Sequence, residues 1–285
     1  MHVSYGSLGY DYVAFKASHN SYDRDETIVD QLRWNDGQRY NGGCRSVEFD
    51  IVRHSDGSHG TNASYFQVSH EQGGEGKPLA DYLADLQAFH AEDPGHGPVM
   101  VCLDIKSKEG DFKVFPDEID AYLGTWFPKS LIFAPGRVIA DAGKDLVANL
   151  QQHGWPLLSE LTGMFVFCLA GNEQWKSYYA DHMPTQRLCF ADLDKEVNLL
   201  NPVAPKVSGN RALINLHLYS DQYDWWKVTV PGYRAQRLIV RGWVINGSDL
   251  WKKAQGAGVN ALATDKISNY EWAVIGTEPF APAPL

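Results

Sequence analysis

Eight short β-rich runs recur along the chain, at residues 12–17, 45–51, 98–105, 164–169, 187–193, 212–218, 237–245 and 260–263. Longer segments separate them, and several of these have helical character. In "KPLADYLADLQAFHAED" the apolar residues Leu79, Leu83, Leu86 and Phe89 fall at helical spacing. "PDEIDAYLGTWF" opens on Pro116 and two acids, a helix start, and "GSDLWKKAQG" reads as an N-cap at Ser248 followed by a short helix. Strands alternating with helices predict a parallel sheet. Eight such units in one chain predict a (β/α)8, TIM-type barrel of irregular form. The irregularity lies in residues 52–75, a long loop or hairpin, and in residues 194–210, also loop-like. No linker or composition break interrupts the pattern, so residues 1–285 are expected to form a single domain. A chain of 285 residues buries a full core without covalent staples.

What matters for function is how the first runs end. "YVAFKASHN" delivers His19 and Asn20 at its close. "CRSVEFDIV" places Glu48 and Asp50 two residues apart, on one face of a strand. "PVMVCLDIKS" is apolar until Asp104 and Lys106, again on one face. Glu48 and Asp50 would be ordinary acids on an edge strand, and Asp104 and Lys106 would be an ordinary ion pair, if either stood alone. Repetition argues otherwise. In a (β/α)8 barrel the C-terminal strand ends form the active-site face, and two inward carboxylates are costly unless something positive pairs with them.

His70, in "FQVSHEQGG", is by itself an unremarkable loop histidine. With His19 it completes the pair that acid–base chemistry needs. Asn20, Glu48, Asp50 and Asp104 offer one amide oxygen and three carboxylates. That hard-oxygen set suits Ca²⁺ or Mg²⁺ and is poor for Zn²⁺. Two histidines beside such an ion suit phosphoryl chemistry, with Lys106 helping to neutralise developing charge.

The formal net charge of −10 argues against nucleic acid, whose phosphates need a basic surface. Cys44, Cys102, Cys168 and Cys189 form no CxxC pair, and three lie in apolar runs, so buried free thiols are expected. No run reaches the roughly 18–20 apolar residues of a membrane span. The N-terminus has no basic start or apolar core, so the protein is expected to be cytoplasmic or to have lost a leader. The sequence carries no signal for oligomeric state.

In order and spacing, these motifs resemble the phosphatidylinositol-specific phospholipase C-like phosphodiesterases, in particular their calcium-dependent branch. The resemblance rests on His19–Asn20, Glu48–Asp50, His70 and Asp104 of "PVMVCLD". It implies that Asn20, Glu48, Asp50 and Asp104 bind the metal, Ca²⁺ with Mg²⁺ as the alternative. It makes His70 the general acid to the leaving alcohol. His19 would stabilise the pentacoordinate transition state or act as a base, and Glu48 or Asp104 is an alternative acceptor for the inositol hydroxyl proton. Metal-free relatives carry Arg where Asp50 stands, so Asp50 points to the metal-dependent type. The implied reaction cleaves phosphatidylinositol-type phospholipids to diacylglycerol and an inositol (cyclic) phosphate, at a secreted or periplasmic location.

The second half matches less closely. "RLIVRGWVIN" and "GVNALATDKI" resemble the last barrel strands of glycerophosphodiester phosphodiesterases and sphingomyelinase D-like enzymes, which makes a Mg²⁺ enzyme of that kind an alternative. Those phosphodiesterases carry His-Arg where this chain has His19–Asn20. Trp243 corresponds to an aromatic lining their pocket, though a core tryptophan in a strand would read the same. Lys106, Trp243, His217 and Arg241 are the substrate-binding candidates. The Arg-rich seventh strand of the nearest calcium-dependent group is missing, which leaves the headgroup open. A non-catalytic barrel holding a phosphorylated ligand is the remaining alternative. Transient membrane contact is expected through Tyr223, Trp225, Trp226 and Tyr233, read as a loop after the sixth strand, unless they pack beneath it.

Overall fold

The computed structural model describes residues 5–34, 42–54, 65–71, 76–108 and 110–284. Eight parallel strands close on themselves. In chain order they are β1 (Val13–Ser18), β2 (Ser46–His54), β4 (Val99–Ile105), β5 (Phe165–Gly171), β6 (Phe190–Lys195), β7 (Leu213–His217), β8 (Ile239–Trp243) and β9 (Ala261–Thr264). Each pairs with the next, and β9 and β2 both pair with β1. The eight expected runs are these eight strands. Two antiparallel strands are added: β3 (Tyr65–Val68) makes a hairpin with β2, and β10 (Phe280–Pro282) pairs with β1. The hairpin answers the reading of residues 52–75, of which 55–64 and 72–75 lie outside the described residues.

Seven helices connect the strands: α1 (Ile28–Leu32), α2 (Leu79–Glu92), α3 (Phe115–Trp126), α4 (Leu146–His153), α5 (Glu173–Asp181), α6 (Tyr223–Arg234) and α7 (Ser248–Gly256), counted among the described residues. Leu79, Leu83, Leu86 and Phe89 of α2 are all buried, as their spacing requires. No helix joins β6 to β7. All four cysteines are buried free thiols. No helix among the described residues is long and apolar enough to cross a membrane.

Strand register sorts the side chains into two cores. Outward residues such as Val47, Phe49, Val101, Leu103, Phe165 and Phe167 pack under α2, α3 and α5. Inward residues are apolar low in the barrel, with Phe15, Met100, Val166 and Ile239, and become polar toward the C-terminal ends. In-register partners share a face. Asp50 pairs with Asp104, Asp194 with Asn215, Asn215 with Arg241 and His217 with Trp243, so all of these face inward.

Two sequence expectations need correction. Ser248 is the first helical residue of α7, and Gly247 is its N-cap. Residues 223–234 form α6 and not a loop, with Trp226 and Tyr233 buried and Tyr223 packed on the core. Trp226, Val230 and Tyr233 repeat at helical spacing, a period obscured by the Pro231–Gly232 pair. Pro231 sits in the last turn of α6, where the helix ends at once. Trp226 and Tyr233 are therefore not available for a lipid surface, while Tyr223 and Trp225 are half-buried.

Gly171 closes β5 at φ +79°, a conformation glycine adopts freely. A methyl there would overlap Asp104 Oδ1 and the Ile105 backbone. Gly171→Ala is expected to lower stability by about 1–3 kcal/mol, combining backbone strain with this overlap. The midpoint of urea denaturation reads the loss, and an unchanged midpoint would contradict the packing described.

Candidate active site

The barrel mouth gathers three carboxylates. Glu48 and Asp50 come from β2 and Asp104 from β4, adjacent parallel strands whose register sets Asp50 beside Asp104. One oxygen from each lies within 4.8 Å of the other two. Glu48 and Asp50 are buried, and Asp104 is mostly so.

Their other contacts show which oxygens are already committed. Glu48 Oε2 accepts from Arg241 Nη2 at 2.7 Å and from the Asn20 backbone N–H at 3.0 Å. Asp50 Oδ2 accepts from the Tyr22 hydroxyl at 2.9 Å and from His70 Nδ1 at 2.7 Å, with Lys106 Nζ 3.5 Å away. Asp104 Oδ2 faces Lys106 Nζ at 3.3 Å. Asp50 Oδ1 and Asp104 Oδ1 are buried and have no hydrogen-bond partner in the protein. Such oxygens are costly unless something positive satisfies them. Three carboxylates against Lys106 and Arg241 also leave one negative charge uncompensated. The donor set, the orphaned oxygens and the charge all fit a hard divalent cation. Burial pushes the Asp104 carboxyl up to about 6, with Lys106 opposing and Asp50 and Glu48 adding to the rise.

Two imidazoles flank this cluster. His19 follows β1 and donates from Nδ1 to Asp265 Oδ1 at 2.8 Å. Asp265 Oδ2 accepts from Asn246 Nδ2 at 2.5 Å, and its backbone N–H donates to Asn246 Oδ1 at 2.8 Å. Burial alone would raise the Asp265 carboxyl, yet His19, Asn246 and Arg24 hold it below the usual range. His70 follows β3, is 68% exposed, and is aligned by Asp50. Both rings therefore commit Nδ1 to a carboxylate and keep Nε2 for other work. Asn20 stands at φ +45°, a left-handed conformation asparagine tolerates, and this turns its N–H toward Glu48.

Around the centre lie two clefts. One of about 720 Å³ is lined by Asn20, Tyr22, His70, Lys77 and Tyr82 among others. The other, about 840 Å³, is bounded by Asp194, Lys195, Asn215, His217, Tyr219 and Trp243. Trp243 stacks on His217 with centroids 4.1 Å apart and on His19 at 5.8 Å, so the second cleft shares a wall with the first imidazole.

Of the residues expected from sequence, His19, Asn20, Glu48, Asp50, His70, Asp104 and Lys106 meet at this mouth, and His217 and Trp243 line the second cleft. Arg241 joins the cluster from below: it is buried, hydrogen-bonded to Glu48 and to Asn215 Oδ1 at 2.9 Å, and lines neither cleft. Asn215 Nδ2 in turn donates to Asp194 Oδ1, and Lys176 Nζ bridges Asp194 and Asp192 at 2.6 Å each. Asp265, Tyr22, Asn246 and Lys176 did not emerge from the sequence. For Asp265 a signal was present, since it follows β9 in "ALATD" just as the other acids sit at strand ends.

Isothermal titration should find one Ca²⁺ site, abolished in Asp50→Asn and Asp104→Asn. The raised Asp104 carboxyl keeps its proton below pH about 6, and a proton competes with a cation. Affinity should therefore fall about tenfold from pH 7 to pH 5. Affinity that is flat across that range would contradict competition between the ion and a proton on Asp104.

No family model matches this sequence, and no curated protein does. Solved structures do match. A calcium-dependent phosphoinositol-specific phospholipase C from the Gram-negative bacterium Pseudomonas sp. superposes with TM-score 0.72 at 19% identity, over 99% of this chain and 98% of that one. A Ca²⁺-dependent phosphatidylinositol-specific phospholipase C from Streptomyces antibioticus matches with TM-score 0.72 at 15% identity, over 96% and 99%. A putative glycerophosphoryl diester phosphodiesterase from Silicibacter pomeroyi matches with TM-score 0.51 at 11% identity, over 94% of each chain. The chain thus has the barrel fold of the phosphatidylinositol-specific phospholipase C-like phosphodiesterases, with the calcium-dependent enzymes among its structural neighbours.

Proposed function

We propose that the chain is a single-domain, metal-dependent phosphodiesterase that cleaves phosphatidylinositol-type lipids to diacylglycerol and an inositol phosphate. One observation carries this reading. Two imidazoles, each aligned by a carboxylate, flank a carboxylate cluster with two orphaned buried oxygens. A mere binding site has little use for two imidazoles aligned in this way.

Glu48, Asp50 and Asp104, with Asn20 beside them, would hold Ca²⁺ or Mg²⁺. A bound divalent cation supplies charge neutralisation to a phosphoryl group. The ring hydroxyl next to the phosphate attacks phosphorus, forming a new P–O bond. His19 Nε2 takes the hydroxyl proton, and Asp265 stabilises the imidazolium that results. The P–O bond to the glycerol oxygen breaks, and His70 Nε2 protonates that oxygen. Asp50 keeps His70 oriented for this donation. Lys106 adds positive charge beside the phosphoryl oxygens. His217 and Trp243 offer a ring wall against which the headgroup packs.

Phosphorus NMR on phosphatidylinositol dispersions, with Ca²⁺ or with EDTA, tests the reaction. A cyclic inositol phosphate signal that EDTA abolishes is expected. Release that ignores divalent ions would contradict the reading, and turnover of glycerophosphocholine in a parallel assay, with phosphatidylinositol left intact, would favour a glycerophosphodiesterase-like enzyme. His19→Ala and His70→Ala should each lower turnover by about 10²- to 10⁴-fold. Asp265→Asn, which keeps the shape of the side chain but not its charge, should lower kcat by a similar factor with KM little changed. Full retention of activity in both histidine variants would overturn the acid–base roles given to them, whereas no turnover by the unaltered protein would leave a ligand-binding role.

A further inference from the structure

The phosphodiesterase reading, on which this inference rests, makes His19 the proton acceptor. What holds His19 begins at a strained turn. After β8 the chain passes through Val244 at φ +60°. A β-branched side chain rarely enters this left-handed region, because its Cβ substituents crowd the backbone there. Val244 is the one β-branched residue at positive φ among the described residues. Conformations of this kind persist where the surrounding structure imposes them, and they gather at functional sites. Two backbone hydrogen bonds impose this one. The Asn246 N–H donates to the Val244 carbonyl at 3.0 Å, and the Ile245 N–H donates to the Ala263 carbonyl on β9 at 2.9 Å.

The turn delivers Asn246 to Asp265, and both ends of the amide are engaged. Oδ1 accepts from the Asp265 backbone N–H at 2.8 Å and from the Thr264 hydroxyl at 3.0 Å. Nδ2 donates to Asp265 Oδ2 at 2.5 Å. The Thr264 oxygen itself accepts from the Lys266 N–H at 3.1 Å, which leaves the hydroxyl proton for Asn246. With two donors on one side and a carboxylate on the other, the amide has a single orientation. Reversed, its NH2 would face a backbone N–H and its oxygen a carboxylate. Asn246 thus grips Asp265 Oδ2, while Oδ1 takes His19 Nδ1, with Arg24 Nη1 3.5 Å away.

His19 is therefore held at three points. Its backbone N–H donates to the Thr264 carbonyl at 3.0 Å, its ring lies against Trp243, and its Nδ1 is bound by Asp265. Trp243 and Asn246 flank Val244, so one strained turn sets both the ring wall and the grip on Asp265. We propose that Asn246 is a positioning residue for His19. It fixes the rotation of the Asp265 carboxylate so that Oδ1 faces His19 Nδ1, which keeps the proton on Nδ1 and leaves Nε2 free for the substrate hydroxyl. No proton passes to or from Asn246; it acts through Asp265. The unusual backbone at Val244 is the conformation that this placement requires.

Proton NMR of the substrate-free chain with ¹⁵N-labelled histidine, together with kinetics on phosphatidylinositol, tests this. The His19 Nδ1–H, identified by its loss in His19→Ala, should give a resolved downfield resonance in mildly alkaline buffer. In Asn246→Ala that resonance should broaden or vanish, and kcat should fall about 10- to 100-fold with KM little changed. Asn246→Asp keeps the shape of the side chain but sets a second carboxylate against Asp265, and it should lose as much. Being isosteric, it guards against a folding defect in the alanine variant, and circular dichroism checks that both are folded. Resonance and kcat unchanged in both variants would overturn the proposal. So would a lowered kcat with the resonance intact, or a lost resonance with kcat intact. The resonance is read without substrate, so a chain without turnover would fail in the phosphorus NMR, and the resonance alone would then decide whether Asn246 holds the His19–Asp265 pair.

Discussion

Mutual repulsion among Glu48, Asp50 and Asp104 is the constraint to which the barrel mouth answers. Their facing oxygens lie within 4.8 Å of one another. At an effective dielectric near 20, each such like-charge pair costs about 3 kcal/mol. The fold opposes this with Arg241 beneath Glu48 and Lys106 between Asp50 and Asp104. It also engages Asp50 Oδ2 with Tyr22 and His70, and Glu48 Oε2 with the Asn20 N–H. Asp50 Oδ1 and Asp104 Oδ1 remain without a partner. Buried oxygens without a partner carry a desolvation cost that a bound cation would offset. The mouth thus has the charge and the free oxygens to take up a cation from outside the chain.

The same logic explains the polar thread across the barrel. Arg241 reaches Glu48 from β8, and its own position is fixed by Asn215, which touches Asp194, which is held by Lys176. Each link satisfies a group that burial would otherwise penalise. Burial pushes the Asp192 carboxyl up to about 7 even though Lys176 opposes the rise. The thread joins the floor of the second cleft to Glu48, so that cleft and the carboxylate cluster share one support.

How much of this was legible in the sequence follows from how local each signal is. The strands were readable because their apolar runs are short and bounded. Glu48–Asp50 and Asp104–Lys106 were readable because a period of two puts both members on one face whatever the fold. Asp265 was not, because it meets His19 from 246 residues away and only barrel closure between β9 and β1 brings the two together. Arg241 was assigned to substrate since its strand was known but its depth was not. In-register pairing with Asn215 places it one layer below Trp243. The α6 rings were misplaced because Pro231 and Gly232 mimic a loop, although the buried positions before them keep helical spacing.

The most direct test is a Ca²⁺-soaked crystal measured at a wavelength where calcium scatters anomalously. The account predicts one anomalous peak at the barrel mouth, about 2.3–2.6 Å from oxygens of Glu48, Asp50 and Asp104. A peak elsewhere, or none, with the three carboxylates engaged by Lys106 and Arg241 alone, would contradict it.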